Sequence, residues 1–305
     1  MTLSLVWIIG QSLLNILMLI ALAPLLEGVM RKLIAFVHSR IGPPIYQPYL
    51  DLLKLLGKEE IVSSKSVLFR YSAIVAFTAV LVTAVLIPLG GRPPLQGAGD
   101  IIVFIYLITL SAVMVMLGGV SSDSPFAFIG AAREMMMILT VEPVIIISLI
   151  AVAVKSGSMQ FGEMMTFQAA HSPSLSMIIA GITLFLAIVA QLARLPFDMV
   201  EADQEIMEGP FIEMSGPKLA LFKWMFYAKE LVFASVFVTL FLPWPATPYY
   251  LLNLPLTLIK VLLVLAVVAV VHVVNPRLRI DQAVKYFGLI IFVAMIGLAF
   301  ALVGS

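Results

Sequence analysis

Along the chain, apolar residues run in blocks of about twenty, separated by shorter stretches rich in proline, glycine and charge. About 20 mostly apolar residues cross a bilayer as a helix. By that measure the sequence predicts eight spans, near 3–26, 67–89, 101–120, 127–154, 175–193, 219–242, 251–274 and 284–303. Proline and glycine punctuate the gaps, as in GGRPPLQGAG (90–99), FLPWPATP (241–248) and NPRLR (275–279). One polar gap carries its own period. PYLDLLKLLGKE places Tyr49, Leu52, Leu53 and Leu56 at helical spacing, with Asp51, Lys54 and Lys58 elsewhere around the helix. That predicts an amphipathic helix on the membrane surface, or a solvated connecting helix. The RIGPP before it, with Gly42 and Pro43, predicts a rigid turn. The N-terminal stretch has no basic n-region and no small-residue cleavage site, so we read it as a retained first span. The expected fold is all-α: a single membrane domain, 1–305, with inner loops at 27–66 and 194–218.

Composition supports the membrane reading. Of 305 residues, 62% are hydrophobic and 11% charged, with mean hydropathy +1.12; soluble domains run at about 45–50% and 25%. The absence of cysteine excludes disulfides and thiolate-held zinc or iron–sulfur centres. His38, His171 and His272 lie far apart in sequence, so no metal site is expected in this chain. There is no glycine-rich phosphate loop and no nucleophile–base motif. The sequence therefore predicts no catalytic centre of its own, and nothing in it suggests nucleic acid.

Lys and Arg set the orientation. The gaps after spans one, three, five and seven, with their flanks, hold 14 of the 18 basic residues, against 2 on the other side and 2 within spans. Both termini are then expected outside, with loops 27–66 and 194–218 in the cytoplasm.

The fifth gap, RLPFDMVEADQEIMEGPFIEMSGPK, holds six carboxylates: Asp198, Glu201, Asp203, Glu205, Glu208 and Glu213. Asp198 with Glu201 resembles a capping box, and Gly209-Pro210 marks a stop, which together predict a helix of about three turns. On it Asp198, Glu201, Glu205 and Glu208 would share one face. A solvated acidic face is the ordinary explanation of such a run. Met199, Val200, Ile206, Met207, Phe211 and Ile212 interleave the acids, however, and predict packing into protein or membrane. Further ionisable groups sit within spans: Glu134 and Glu142 in the fourth, Lys223, Lys229 and Glu230 in the sixth. Such residues are expensive in a bilayer and mark ion routes; the alternative is structural pairing, for example of Lys223 or Lys229 with Glu230. His272 fits a proton path or a packing role equally.

Two motifs add a resemblance. EGVMRKLIAFVHSRIGPPIYQPYLDLLKLLGKE (27–59) and RLPFDMVEADQEIMEGPFIEMSGPKLALFKW (194–224) resemble the membrane subunit that anchors the quinone module of respiratory complex I, the NADH dehydrogenase subunit 1 family. The short GPPIYQP and uninterrupted EIMEGPFIE are closer to the version in energy-converting membrane-bound [NiFe] hydrogenases and related sulfane-sulfur reductases. Met214 stands where the family commonly has tyrosine. The resemblance implies eight spans in a tilted bundle in the cell membrane of a prokaryote. It also implies a non-catalytic subunit that docks a soluble arm and links its redox reaction to proton or sodium movement. The implied partners are a small iron–sulfur subunit, a [NiFe]-type large subunit, antiporter-like membrane subunits and lipid, with ferredoxin acting indirectly. Iron–sulfur clusters and the [NiFe] centre would belong to those partners, and no cofactor to this chain. Asp198, Glu201, Glu205, Glu208 and Glu213 match the family's acidic-loop positions, and Glu134, Glu142 and Glu230 lie in the corresponding spans. Arg31, Lys32, Arg40, Gly42, Pro43 and Arg194 fall in the docking motifs. The competing readings are a quinone-chamber subunit of a complex I-type enzyme and a free-standing transporter. The lack of an internal repeat weakens the latter.

Overall fold

The computed structural model describes residues 2–91, 93–95, 99–200, 203–245 and 250–304. Its elements are α1 (Thr2–Val37), α2 (Gln47–Leu56), α3 (Val67–Leu86), α4 (Ile101–Val120), α5 (Pro125–Ser156), α6 (Phe161–Ala170), α7 (Leu175–Gln191), α8 (Asp203–Ile206), α9 (Gly216–Phe241), α10 (Tyr250–Val274) and α11 (Ile280–Val303), with a single 3₁₀ turn at Gly209–Phe211. The all-α membrane fold expected from the sequence is the one found. Among the described residues seven helices, α1, α3, α4, α5, α9, α10 and α11, are long and apolar enough to cross a bilayer. The remaining expected span is α7, apolar but only 17 residues long, at the lower limit of about 17 for a crossing helix.

The bundle is built around α9, the most buried crossing helix, which packs on α1, α3, α7 and α10. Small residues let the helices approach, as in transmembrane packing generally: Ala73, Ala76, Ala187, Ala228 and Ala234 are all buried. Phe104 meets Phe161 and Phe233 edge-on, at 5.4 and 6.1 Å between ring centroids. α10 and α11 are the least buried, leaving much of their apolar surface outward.

Three local expectations are corrected. First, the loop expected from residue 27 is helix as far as Val37. Arg31 lies four residues after Glu27 and pairs with it, so the charges continue the helix instead of ending it. The helix stops where Ser39 turns left-handed (φ 55), with Arg40 N donating to Ala35 O and Ser39 N to Phe36 O, a Schellman closure. Second, the three-turn helix of the acidic loop does not form. Among the described residues only Asp203–Ile206 is α-helical, because Met207, Glu208 and Gly209 all have positive φ. Met199, Val200, Ile206 and Phe211 are buried and hold the segment against the bundle. Glu201 lies outside the described residues. Third, the expected apolar face of α2 is divided: Leu52 is buried against the bundle, whereas Leu53 and Leu56 stay exposed. α6, in the gap between α5 and α7, was not foreseen.

Candidate functional site

Where α7 ends, Ala193 adopts φ 49, Arg194 N donates to Val189 O and Ala193 N to Ala190 O. This second Schellman closure delivers Arg194 directly into the bundle. Its guanidinium donates to Glu27 Oε2 of α1 and, at 3.4 Å, to Glu230 Oε2 of α9. Glu27 and Glu230 are 4% and 2% exposed. From the other side, Arg31 Nε donates to Glu27 Oε1 at 2.9 Å, Nη1 to Asp51 Oδ2 at 3.1 Å and Nη2 to the Tyr227 hydroxyl at 2.8 Å. Gln47 steadies Asp51 with a 3.0 Å bond to Oδ1. Two arginines and three carboxylates thus form one network from α2 through α1 to the centre of α9.

The network borders a cavity of about 200 Å³ lined by Glu27, Arg31, Arg194, Lys223, Tyr227 and Glu230, among others. Glu230 Oε1 is buried with no hydrogen-bond partner, and a buried carboxylate oxygen of that kind calls for water. Ala193 and Phe226 line this cavity and also a second, of about 20 Å³, that borders Glu134. The smaller space holds about one water. Beyond it, Lys229 of α9 is buried, and the charges acting on it are Glu134 and Glu142 of α5. Thr109 lies against Glu142, whose Oε1 is buried without a partner.

Sequence reasoning placed Glu134, Glu142 and Glu230 inside the bundle, where they are. The alternative to an ion route was a pairing of Glu230 with Lys223 or Lys229; the cation found on Glu230 is Arg194. It treated Glu27 and Asp51 as loop groups and did not single out Tyr227. The spacing Glu27–Arg31 on a continuing helix was the available signal.

The acidic loop is more dispersed than its sequence suggests. Glu205 is more than half exposed and accepts a 2.7 Å bond from Arg133, with Arg277 at 3.9 Å. The Arg133 hydrogen bond, and then the charge of Arg277, hold its carboxyl below the usual carboxylate value. Glu208 is exposed at the left-handed turn, Asp198 and Glu213 are partly buried, and Arg133 also donates to Met199 O at 3.3 Å. Gly209-Pro210 seats the loop between α4 and α5: a Cβ on Gly130 would lie 2.6 Å from Pro210 Cδ, and one on Gly119 3.0 Å from Pro210 Cβ. The first and fifth loops are tied together. Lys218 pairs with Glu60 at 2.6 Å, Ile61 N donates to Ser215 Oγ, and Ser215 Oγ donates to Ile61 O. His272 Nδ1 accepts from Leu195 N at 3.1 Å. It fixes the backbone beside Arg194.

A polytopic helical membrane protein with ionisable groups buried inside its bundle defines the class. The chain belongs to the NADH dehydrogenase family, whose pattern it matches over residues 11–303. It is 37% identical over 281 residues to Hydrogenase-4 component C of Escherichia coli K12, covering 88% of this chain and 89% of that one. It is 33% identical over 279 residues to Formate hydrogenlyase subunit 4 of the same strain, covering 88% and 91%. Among solved structures it superposes on a chain of the membrane-bound sulfane sulfur reductase, an archaeal respiratory membrane complex, with TM-score 0.88 and 29% identity, covering 96% of this chain and 99% of that one.

Proposed function

We propose that this chain is the non-catalytic membrane subunit of an energy-converting oxidoreductase of the membrane-bound hydrogenase type, in the cell membrane of a prokaryote with both termini outside. It docks a soluble arm of [NiFe]-type large and small iron–sulfur subunits on its tied inner loops. It couples their ferredoxin-driven redox reaction to proton or sodium movement through antiporter-like neighbours. The observation that carries this reading is Arg194 held between the buried carboxylates of Glu27 and Glu230. With Arg31 shared between Glu27 and Asp51, two guanidiniums cannot fully neutralise the three carboxylates of the network in a low-dielectric interior. A small shift of Arg194 toward Glu27 favours a proton on Glu230, and a shift back releases it. Asp51, Arg31 and Tyr227 link this switch to the inner loops, and Glu134, Lys229 and Glu142 carry the charge change onward. Within this scheme Glu205 and Arg133 hold the acidic loop in place, and Asp198, Glu201, Asp203, Glu208 and Glu213 supply its further carboxylates.

The likeness in chain length and fold to the sulfane sulfur reductase chain favours a second reading, the same coupling role with sulfur as electron acceptor.

The test is Glu230→Gln and, separately, Glu27→Gln in the intact complex. Redox turnover with an artificial donor in detergent should continue, and ion uptake by sealed vesicles during that turnover should fall at least tenfold, about 1.4 kcal/mol of lost coupling. Normal uptake at normal turnover in both variants would refute the switch.

A further inference from the structure

At the inner end of α1 a groove of about 430 Å³ is lined by Val29, Lys32, Leu33, Phe36, Arg40, Ile41, Gly42 and Ile45. Lys32 and Phe36, and Val29 and Leu33, are four residues apart and share one side of the helix. The other wall is the 41–45 segment, held hard against α1. A Cβ on Gly28 would lie 1.9 Å from Ile45 O, and one on Gly42 2.8 Å from Ala35 Cβ.

We infer that this groove binds one anionic phospholipid, its phosphate between Lys32 and Arg40 and an acyl chain along Leu33, Phe36 and Ile45. Charge complementarity selects the occupant. No carboxylate lines the groove, and neither the Lys32 nor the Arg40 side chain has an ion-pair or hydrogen-bond partner among the described residues. Arg31, Arg133, Arg194 and Arg277, by contrast, each lie within 4 Å of a carboxylate. The apolar surface fits the same ligand. Phe36 is 79% exposed and Ile41 fully exposed, an arrangement that water disfavours and hydrocarbon accepts. The groove lies at the end of a helix long and apolar enough to cross a bilayer, Ile8–Val37. Its volume is within the range of small-molecule sites, about 300–1,000 Å³. This assignment does not depend on the coupling reading and removes Lys32 and Arg40 from the docking face.

The experiment uses the intact complex in mixed micelles containing phosphatidylglycerol or phosphatidylcholine with a photoactivatable acyl chain. Crosslinks to residues 29–45 are quantified by mass spectrometry. Phosphatidylglycerol should label this segment well above phosphatidylcholine. Lys32→Gln with Arg40→Gln should lower phosphatidylglycerol labelling about thirtyfold, at roughly fivefold per cation near an anionic lipid. Leu33→Trp, which fills the groove and keeps both charges, should lower labelling by either lipid, whereas Lys54→Gln on α2 should change nothing. Equal labelling of the wild-type complex by the two lipids would overturn the inference without reference to any variant's folding. So would phosphatidylglycerol labelling that survives the double substitution. Release of the soluble subunits from that variant with lipid labelling intact would make a protein the occupant.

Discussion

Arg194 serves two acids that cannot both be satisfied without it, and that asymmetry is measurable. Replacing it with glutamine leaves Glu27 with Arg31 alone and removes the cation bonded to Glu230. Removing one partner of a buried charge pair costs about 3 kcal/mol or more, so Arg194→Gln should lower the thermal midpoint of the complex in detergent. Adding Glu230→Gln removes the stranded carboxylate and should restore a substantial part of the loss; a strictly additive double variant would show that the two residues do not interact. Glu205 behaves differently, because its pair lies at the surface. Its carboxyl is lowered from 4.5 by the Arg133 hydrogen bond and the Arg277 charge. A lowered folded-state value gives stabilisation that is present above the unfolded-state value and lost as pH falls through the folded one. The amide protection factor around Glu205, exchange divided by its intrinsic pH-dependent rate, should therefore stay flat from neutral pH to about 5 and fall only below the ordinary carboxylate range. A loss of protection already between pH 7 and 6 would show that another group controls the loop.

The loop's seat depends on elements meeting without side chains between them. Gly130→Ala on α5 drives a methyl into the Gly209-Pro210 turn, whose Gly209 Cα lies 2.8 Å from the new atom. Overpacking of this kind costs about 1–3 kcal/mol. Proteolysis or exchange in 203–214 should increase while α9 stays protected; an unchanged loop would mean the turn is held by the Arg133–Glu205 pair alone. None of this contact is written locally in the chain. The spans were legible because twenty apolar residues have few other fates, and the internal glutamates stood out against them. The first helix was cut short because Glu27, Arg31 and Lys32 read as a polar break, whereas the charges of Glu27 and Arg31 are met within the fold by Asp51, Tyr227 and Arg194 far away in sequence. The acidic loop misled in the opposite direction: its acids have helical spacing, but the left-handed run at Met207, Glu208 and Gly209 stops the helix. Lys229 adjoins Glu230 in sequence, yet neighbours on a helix point about 100° apart, and Lys229 serves the acids of α5 instead. Met214, which stands where the family commonly has tyrosine, is buried, and its Cε would lie 3.2 Å from a Cβ on Gly118. It fills the seam between α4 and the loop.

Across the whole molecule, these contacts gather the basic loops at one end of the bundle. Residues 58–61 are tied to 215–218, and α2 packs on α9. The Arg133–Glu205–Arg277 cluster joins α5 and the connection between α10 and α11 at the acidic loop. The loop joining α6 to α7 carries no Lys or Arg and belongs, on the charge rule, to the opposite side. Because the chain has no native cysteine, single cysteines report sidedness without a background. Lys58 and Ser172 are both exposed and outside the helices, so substituting either leaves the packing alone. Lys58→Cys should react with a membrane-impermeant maleimide only in inverted vesicles, and Ser172→Cys only in intact cells or right-side-out vesicles. The soluble arm should shield Lys58→Cys until it is stripped from the membrane, because docking on the tied loops covers that position. Labelling of both cysteines from one side would overturn the topology. Labelling of Lys58→Cys at equal rates with and without the arm would place the docking face elsewhere.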